Sequence, residues 1–251
     1  MAEKSGRKYD CVAAGHICLD LIPEFMNKPA GDIRSVLRPG MLTKVGALAV
    51  STGGSVSNTG IAMKIFGCRM AFCAKVGNDE IGRIITGRLK KHGSAEGISV
   101  SQGISSSYTV VLSPAGLDRL FLHNPGSNDC FTAKDIDADV LASSRMFHLG
   151  YPTLMRSLYA NGGRELAKVM RKAVTAGCIT SLDVSFPDPT SEAGKADWKK
   201  IFGKAMPYTD IFLPSIEEAY FLMHPVKYLA KKKKHADKDL VDVFTGAEYA
   251  S

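Results

Sequence analysis

The chain has 251 residues, of which 45% are hydrophobic and 23% charged, and its formal net charge is +7. This composition is typical of a soluble globular protein, and the length suffices for one large α/β domain with a substantial core. No apolar run approaches the ~20 residues that cross a membrane. Residues 1–10 lack the apolar segment of a signal peptide, so we expect a cytoplasmic protein with no membrane partner.

Strand and helix patterns alternate along the chain without an internal repeat. Strand patterns cover residues 9–14, 18–22, 46–52, 69–76, 110–112, 119–122, 145–149, 178–184 and 210–213. Helix patterns lie after Gly53-Gly54, near 80–92, at 163–176 and near 192–204. This alternation predicts an α/β fold with a doubly wound, mostly parallel sheet. The irregular stretches at 20–50 and 106–124 predict a small β appendage inserted into it.

Three details of these elements are specific enough to check. The helix after the glycine pair should present Ile61, Ile65 and Phe66 on one face. The helix at 163–176 should turn Leu166, Val169, Met170, Ala173 and Val174 inward and stop at Gly177. Residues 110–112 and 119–122 should form a hairpin, and residues 178–184 and 210–213 should be buried strands.

The glycine pair Gly53-Gly54 stands between a strand pattern and a helix pattern. Glycine lets bare backbone approach a ligand, and the amides at a helix N-terminus attract oxygen-rich groups. Asn58 adds one hydrogen-bond donor and one acceptor near the same point. Taken alone, a glycine pair marks a turn and an asparagine caps a helix.

Together with Gly67 and the run Val76-Gly77-Asn78-Asp79-Glu80-Ile81-Gly82, these residues resemble the first signature of the ribokinase-like (PfkB) carbohydrate kinases. The resemblance implies a Rossmann-type layered domain over residues 1–251, with a small β lid that covers the sugar. It implies transfer of the γ-phosphoryl group of Mg-ATP to a sugar hydroxyl. It also implies a small-molecule sugar or nucleoside as partner, with the lids pairing in a homodimer.

The resemblance assigns the sugar-binding role to Asp20, Gly53, Gly54, Asn58 and Asn128. Asp20 follows the first strand, and a carboxylate accepts hydrogen bonds from two adjacent hydroxyl groups. A surface-turn aspartate is the alternative for Asp20. Asn128 lies in a turn similar to the one that closes the family's lid hairpin. Lone histidines such as His16 and His148 are more typical of structural positions.

Asp183, Ser215 and Glu218 are expected to organise phosphate and Mg²⁺. Asp183 ends a strand pattern and resembles an acidic position that faces the transferred phosphate. Ser215 and Glu218 resemble the family's Asn-x-x-Glu segment, with serine in place of asparagine. The same pair has the spacing of a helix capping box, which needs no metal, and both interpretations stay open.

No sequence similar to the family's second signature, GAGD, occurs in these 251 residues. The resemblance therefore implies that the catalytic base, the anion hole and most of the ATP site are missing, and that this chain is inactive or fragmentary as it stands. We assign no catalytic residue and no direct metal ligand. A non-catalytic sugar- or nucleoside-binding protein is the alternative.

Most of the positive excess lies in the lysine run Lys231–Lys234. The run is typical of a solvated helix face, and it has no interleaved aromatic residues on which bases would stack. We therefore expect no nucleic-acid partner, with a polyanion patch as a third hypothesis. The six cysteines form no Cys-x-x-Cys pair, which predicts reduced thiols.

Overall fold

The computed structural model describes residues 6–235 and 240–246. Its strands form one sheet of six strands and one of four. The strands are β1 (Tyr9–Gly15), β2 (Cys18–Phe25), β3 (Val45–Gly53), β4 (Met70–Gly77), β5 (Ser94–Ser101), β6 (Tyr108–Leu112), β7 (Leu120–Asn124), β8 (Ser144–Gly150), β9 (Ile179–Asp183) and β10 (Ile211–Phe212). The α-helices are α1 (Ile33–Val36), α2 (Ser55–Ile65), α3 (Glu80–Leu89), α4 (Ala138–Ala142), α5 (Arg156–Thr175), α6 (Trp198–Ala205), α7 (Ile216–Met223) and α8 (Pro225–Lys234).

The six-stranded sheet is parallel throughout, in the order β10-β9-β8-β1-β4-β5. From β1 the chain first adds β4 and β5 on one side, and then returns to add β8, β9 and β10 on the other. The order therefore reverses between β1 and β8. Such a reversal leaves a crevice at the C-terminal ends of the strands, where ligands bind in this class of fold. The predicted doubly wound sheet is confirmed.

Apolar side chains cover both faces of this sheet, which is why β1 and β4 are buried along nearly their whole length. One face packs under the helices α4 to α7, with Phe147, Trp198 and Phe221 among its largest buried side chains. The other face packs under α2 and α3, around Phe72 and Ile85. Packing on both faces therefore holds the strands in place, and the C-terminal ends of these strands form the crevice at the edge of the sheet.

The second sheet has the strand order β3-β2-β6-β7. β2 runs antiparallel to β3 and parallel to β6, while β6 and β7 form the predicted antiparallel hairpin. Its strands come largely from the two stretches in which inserted strands were predicted, 20–50 and 106–124. Only His16 and Ile17 separate β1 from β2, so the chain passes directly from the large sheet into the small one.

The predicted apolar face of α2 is wrong, because Ile65 and Phe66 are 76% and 86% exposed. The helix instead buries its small residues, Ser55, Val56, Ser57 and Gly60. A Cβ added at Gly60 would lie 2.6 Å from a ring carbon of Phe72. The helix thus packs too closely on the sheet to admit large side chains there, and periodicity alone does not show this.

Two further expectations also fail. The backbone of α5 breaks at Ala160–Gly163, and the part that follows the break matches the predicted helix at 163–176 with Leu166, Val169, Met170 and Ala173 buried; only Val174 is exposed instead of inward. β10 is exposed instead of buried, because it is the last strand of the sheet and has a neighbour on one side only. β5 was not predicted at all, since its alternating small and polar residues give a weak strand pattern.

The lysine run lies in the last turn of α8, where positive charge complements the helix dipole. Lys231 donates a hydrogen bond to the carbonyl oxygen of Val243 at 2.8 Å, and Lys232, Lys233 and Lys234 are exposed. All six cysteines are free thiols. Over residues 6–235 and 240–246, no helix is long and apolar enough to cross a membrane.

Candidate functional site

A cavity of about 540 Å³ opens between the two sheets, at the C-terminal ends of β1 and β8. Its walls are formed by the four-stranded sheet, the start of α2, the link between β1 and β2, and the segments that follow β8 and β9. The lining residues are His16, Cys18, Asp20, Gly53, Gly54, Asn58, Thr109, Val111, Phe121, His123, Tyr151, Leu154, Ser185, Phe186 and Asp188. The structure thus brings four of the predicted sugar-binding residues to one cavity: Asp20, Gly53, Gly54 and Asn58.

Asp20 lies on β2 opposite Ser51 of β3. Its Oδ1 atom accepts a contact of 3.3 Å from the thiol of Cys18. A Cβ at Gly53 would overlap the Asp20 carboxylate, so glycine is required there for the carboxylate to keep its place. Burial, and secondarily the charge of Asp20, raise the pKa of the Cys18 thiol to about 12. The Cys18 thiol is therefore neutral and donates to the Asp20 carboxyl group.

Gly54 is the N-cap residue of α2 and has a φ of 83°, a left-handed conformation that favours glycine. A Cβ at this position would lie 2.5 Å from the backbone oxygen of His16 and 2.6 Å from its Nδ1. The pair Gly53-Gly54 therefore allows the N-terminus of α2 to meet the link between β1 and β2 at the cavity.

Asn58 is exposed on the second turn of α2 and hydrogen-bonds to the hydroxyl group of Tyr151. Burial raises the pKa of Tyr151, and the negative charges of Asp183 and Glu218 raise it further, while the hydrogen bond from Asn58 opposes them. The Tyr151 hydroxyl therefore lies within electrostatic reach of both groups of predicted site residues.

Asp183 ends β9, and its carboxylate accepts a hydrogen bond from the Val184 amide at 2.9 Å. Its pKa is raised to about 6, first by burial and also by the charge of Glu218. Ser215 and Glu218 form a capping box at the start of α7. In it the Ser215 amide donates to Glu218 Oε2 at 2.7 Å, and the Glu218 amide donates to Ser215 Oγ at 3.2 Å.

The carboxylates of Asp183 and Glu218 repel each other, and a divalent cation would relieve that repulsion. Mg²⁺ is commonly held by one or two carboxylates together with waters and substrate phosphates. No cluster of three or more His, Cys, Asp or Glu side chains suited to a metal occurs among the described residues. The pair therefore fits a cation shared with phosphate, but not one held by protein ligands alone.

Asn128 does not line the cavity, contrary to the prediction. Its side chain is fully buried and bonds to both backbone groups of Ile17: it accepts from the amide at 3.3 Å and donates to the carbonyl at 2.9 Å. These bonds use the amide group to anchor the link between β1 and β2. The structure therefore assigns Asn128 a structural role.

The run at 76–82 also lies outside the cavity. Asp79 caps α3 by accepting from the Gly82 amide at 2.8 Å. The same carboxylate accepts from the amide and the hydroxyl of Ser106, both at 2.7 Å. The run thus ties the large sheet to the segment that leads into β6.

His16 and Tyr151 are two of the cavity residues that were not predicted as site residues. Each directly follows the glycine that ends its strand, and these glycines are register partners in β1 and β8. His16 is 3% exposed and neither ring nitrogen has a hydrogen-bond partner. Burial, and secondarily the neighbouring His123, lower its pKa to about 3. In the sequence, each of these two residues directly follows a glycine that ends a strand pattern. The resemblance to the sugar kinases assigns no role to either position.

The fold is that of the ribokinase-like class, and comparison with known proteins identifies the family. The sequence profile of the pfkB family carbohydrate kinases matches residues 11–243. This chain therefore belongs to the pfkB family of carbohydrate kinases.

Among its relatives, the probable fructokinase-4 of Arabidopsis thaliana is 28% identical over 232 residues, which are 88% of this chain and 64% of that protein. Fructokinase-2 of Solanum lycopersicum is 28% identical over 221 residues, 84% of this chain and 60% of that protein. The chain thus spans about three fifths of the length of these relatives. The fructokinase of Xylella fastidiosa solved with bound ATP shares the fold, with a TM-score of 0.65, 20% identity and coverage of 88% and 65% of the two chains.

Proposed function

We propose that this chain is the sugar-binding part of an ATP-dependent kinase. That kinase transfers the γ-phosphoryl group of Mg-ATP to a sugar hydroxyl. The observation that carries the proposal is the cavity at the strand reversal, where Asp20, Gly53, Gly54 and Asn58 converge. Membership of the pfkB family supports the reaction class.

In this proposal the cavity residues hold the sugar through its hydroxyl groups. The Asp20 carboxylate accepts from two adjacent hydroxyls, and Asn58 both donates and accepts. The glycine pair leaves room for the sugar to approach the N-terminus of α2. Several apolar side chains, including Val111, Phe121 and Phe186, complete the wall and exclude water, which would compete as phosphoryl acceptor.

Asp183 and Glu218 would organise Mg²⁺ and the phosphates of ATP through water, and Ser215 would fix Glu218 through the capping box. When bound, Mg²⁺ neutralises phosphate charge that develops during transfer. The cytoplasm is the proposed location, since Mg-ATP is the donor.

The first test is a titration of the chain with neutral sugars in the absence of nucleotide. D-fructose is the first probe, because the relatives include fructokinases. We expect saturable heat release and a rise in Tm with at least one of D-fructose, D-glucose and D-ribose. A coupled assay for ADP release, on the protein expressed from its complete transcript, then tests transfer with Mg-ATP. No binding of any neutral sugar, together with no ADP release, would contradict the proposal.

Sugar binding without transfer is the second candidate. It is favoured by one observation: none of the residues proposed for Mg²⁺ and phosphate is among those that line the cavity in the described part of the chain. Sugar recognition therefore does not draw on those residues. Saturable sugar binding with no ADP release, by the protein expressed from its complete transcript, would select this candidate over the kinase.

We further propose that the four-stranded sheet acts as the lid of one incomplete domain and pairs with the lid of a second copy. Its surface carries exposed apolar side chains: Val45, Leu48, Leu120, Phe121 and Leu122. Sedimentation velocity should show a dimer that L48E and L122E weaken. I65E, at a similarly exposed apolar residue of α2, is the matched control and should leave the dimer intact. A wild-type monomer at all concentrations would contradict the pairing.

A further inference from the structure

Tyr151 occupies the point at which the strand order reverses. Gly15 of β1 and Gly150 of β8 are register partners, and Tyr151 is the first residue after β8. In doubly wound sheets the crevice at this reversal is where ligands bind. Tyr151 also lines the cavity, beside His16, whose ring centroid lies 6.1 Å from its own.

The backbone of Tyr151 is strained. Its φ and ψ are 60° and 45°, in the left-handed region that a bulky side chain rarely adopts. Within the ranges that the structure describes, Asn161 is the only other non-glycine residue with a positive φ, and asparagine tolerates this region.

Hydrogen bonds on both sides hold this conformation. The Tyr151 amide donates to the carbonyl oxygen of Asp183 at 3.1 Å, and its own carbonyl accepts from the Leu154 amide at 2.9 Å. Strain of this kind costs of order 1–3 kcal/mol and concentrates at functional sites. The fold therefore maintains a strained backbone conformation at Tyr151, and this residue lines the cavity.

Tyr151 brings a phenol hydroxyl to the cavity, which Asn58 also lines. A phenol hydroxyl is both donor and acceptor, so it can donate to a ligand while it accepts from a neighbour. Burial raises the pKa of this phenol, and the negative charges of Asp183 and Glu218 raise it further, so its proton stays in place at neutral pH.

We infer that Tyr151 is a specificity-determining residue of the acceptor site, which donates a hydrogen bond from its hydroxyl to one hydroxyl of the bound sugar. The inference rests on the proposed sugar binding and deepens it. Asn58 orients the phenol, and the left-handed backbone places it. Neither the family signature nor the comparisons assign this role to the residue after β8.

The test compares Y151F with wild type, using D-fructose and its singly deoxygenated analogues as probes in isothermal titration. Y151F removes one oxygen and keeps the ring. We expect about tenfold weaker binding of D-fructose. Y159F is the matched control: it deletes the same oxygen from a half-buried tyrosine of α5 that packs against Trp198 outside the cavity, and it should bind as wild type does.

The analogues separate direct contact from a structural effect. In wild type, the analogue that lacks the contacted hydroxyl should bind about tenfold more weakly than D-fructose. In Y151F the same deletion should cost almost nothing, while the other deletions keep their wild-type cost. A uniform loss across all analogues, or unchanged binding by Y151F, overturns the inference and leaves sugar binding intact. If wild type binds none of the neutral sugars, the proposed function fails instead.

Discussion

Two glycine-containing segments carry the resemblance to the sugar kinases, and the structure uses them differently. The segment at 53–58 lies at the cavity, where its glycines make room and Asn58 meets Tyr151. The segment at 76–82 lies away from the cavity, and its Asp79 carboxylate accepts hydrogen bonds from Ser106 and Gly82. A shared signature therefore mixes groups that line the cavity with groups that bond to one another inside the fold.

The largest expected effect separates these two classes directly. D20A should weaken sugar binding by about 100-fold, or about 3 kcal/mol, because it removes a charged acceptor of two hydroxyl groups. Thermal stability should change little, since the carboxylate has a single weak contact with Cys18. Calorimetric titration and a melting curve test both. D118A, in the exposed loop between β6 and β7, is the control for the same exchange. Unchanged affinity would remove Asp20 from the site.

The opposite result is expected in the second segment. D79A should lower the free energy of unfolding by about 3 kcal/mol, because it leaves the amides of Ser106 and Gly82 without their acceptor. Urea unfolding measures this loss. Sugar affinity, measured well below the melting temperature, should stay within about twofold. A loss of affinity as large as that of D20A would abolish the distinction between the segments.

The buried histidines and Asp79 should also differ in how they make the free energy of unfolding depend on pH. Burial lowers the pKa of His16 to about 3 and that of His148 to about 4, below the ordinary value near 6.5. The unfolded chain therefore binds more protons, and stability falls as the pH drops below 6.5, by about 2 kcal/mol per histidine at pH 5. Asp183, with a raised pKa, shifts in the opposite direction and offsets part of this fall.

Asp79 has a lowered pKa, so its contribution to stability persists to more acidic conditions. Unfolding by urea at pH 7, 6 and 5 measures the dependence. H148Q should lose about 2 kcal/mol less than wild type over this range, because glutamine carries no proton to titrate. Identical slopes for the two proteins would show that His148 is not buried as a neutral group.

The smallest effect concerns the charge of the sugar that binds in the cavity. Among the described residues that line the cavity, Asp20 and Asp188 are acidic and none is lysine or arginine. D-fructose 6-phosphate and D-gluconate should therefore bind about tenfold more weakly than the neutral sugar at low salt. The ratio should shrink as ionic strength rises, because screening weakens the repulsion. Tighter binding of either anion would indicate a cation that reaches the cavity.

Sequence patterns anticipated the doubly wound sheet and the inserted strands, because strand periodicity is a local signal, and the resemblance to the sugar kinases anticipated four residues of the cavity. They did not anticipate which face of α2 is buried, since close packing against Phe72 reverses the usual preference for large apolar residues. Asn128 was misassigned because its partner, Ile17, lies 111 residues away. Tyr151 was missed because neither the sheet order nor a left-handed backbone is visible in sequence.

The glycine pair also shapes how this cavity can change over evolution. A side chain at Gly54 would collide with the backbone of His16, and one at Gly53 would displace the Asp20 carboxylate, so substitution of either glycine would disturb the cavity. Val111, Phe121 and Leu154 of the apolar wall are not subject to this restriction, whereas Phe186 also packs against Phe221 and Tyr228. New acceptor preferences should therefore arise through substitutions at those three wall residues and at Tyr151, and a directed-evolution library is best confined to those four codons.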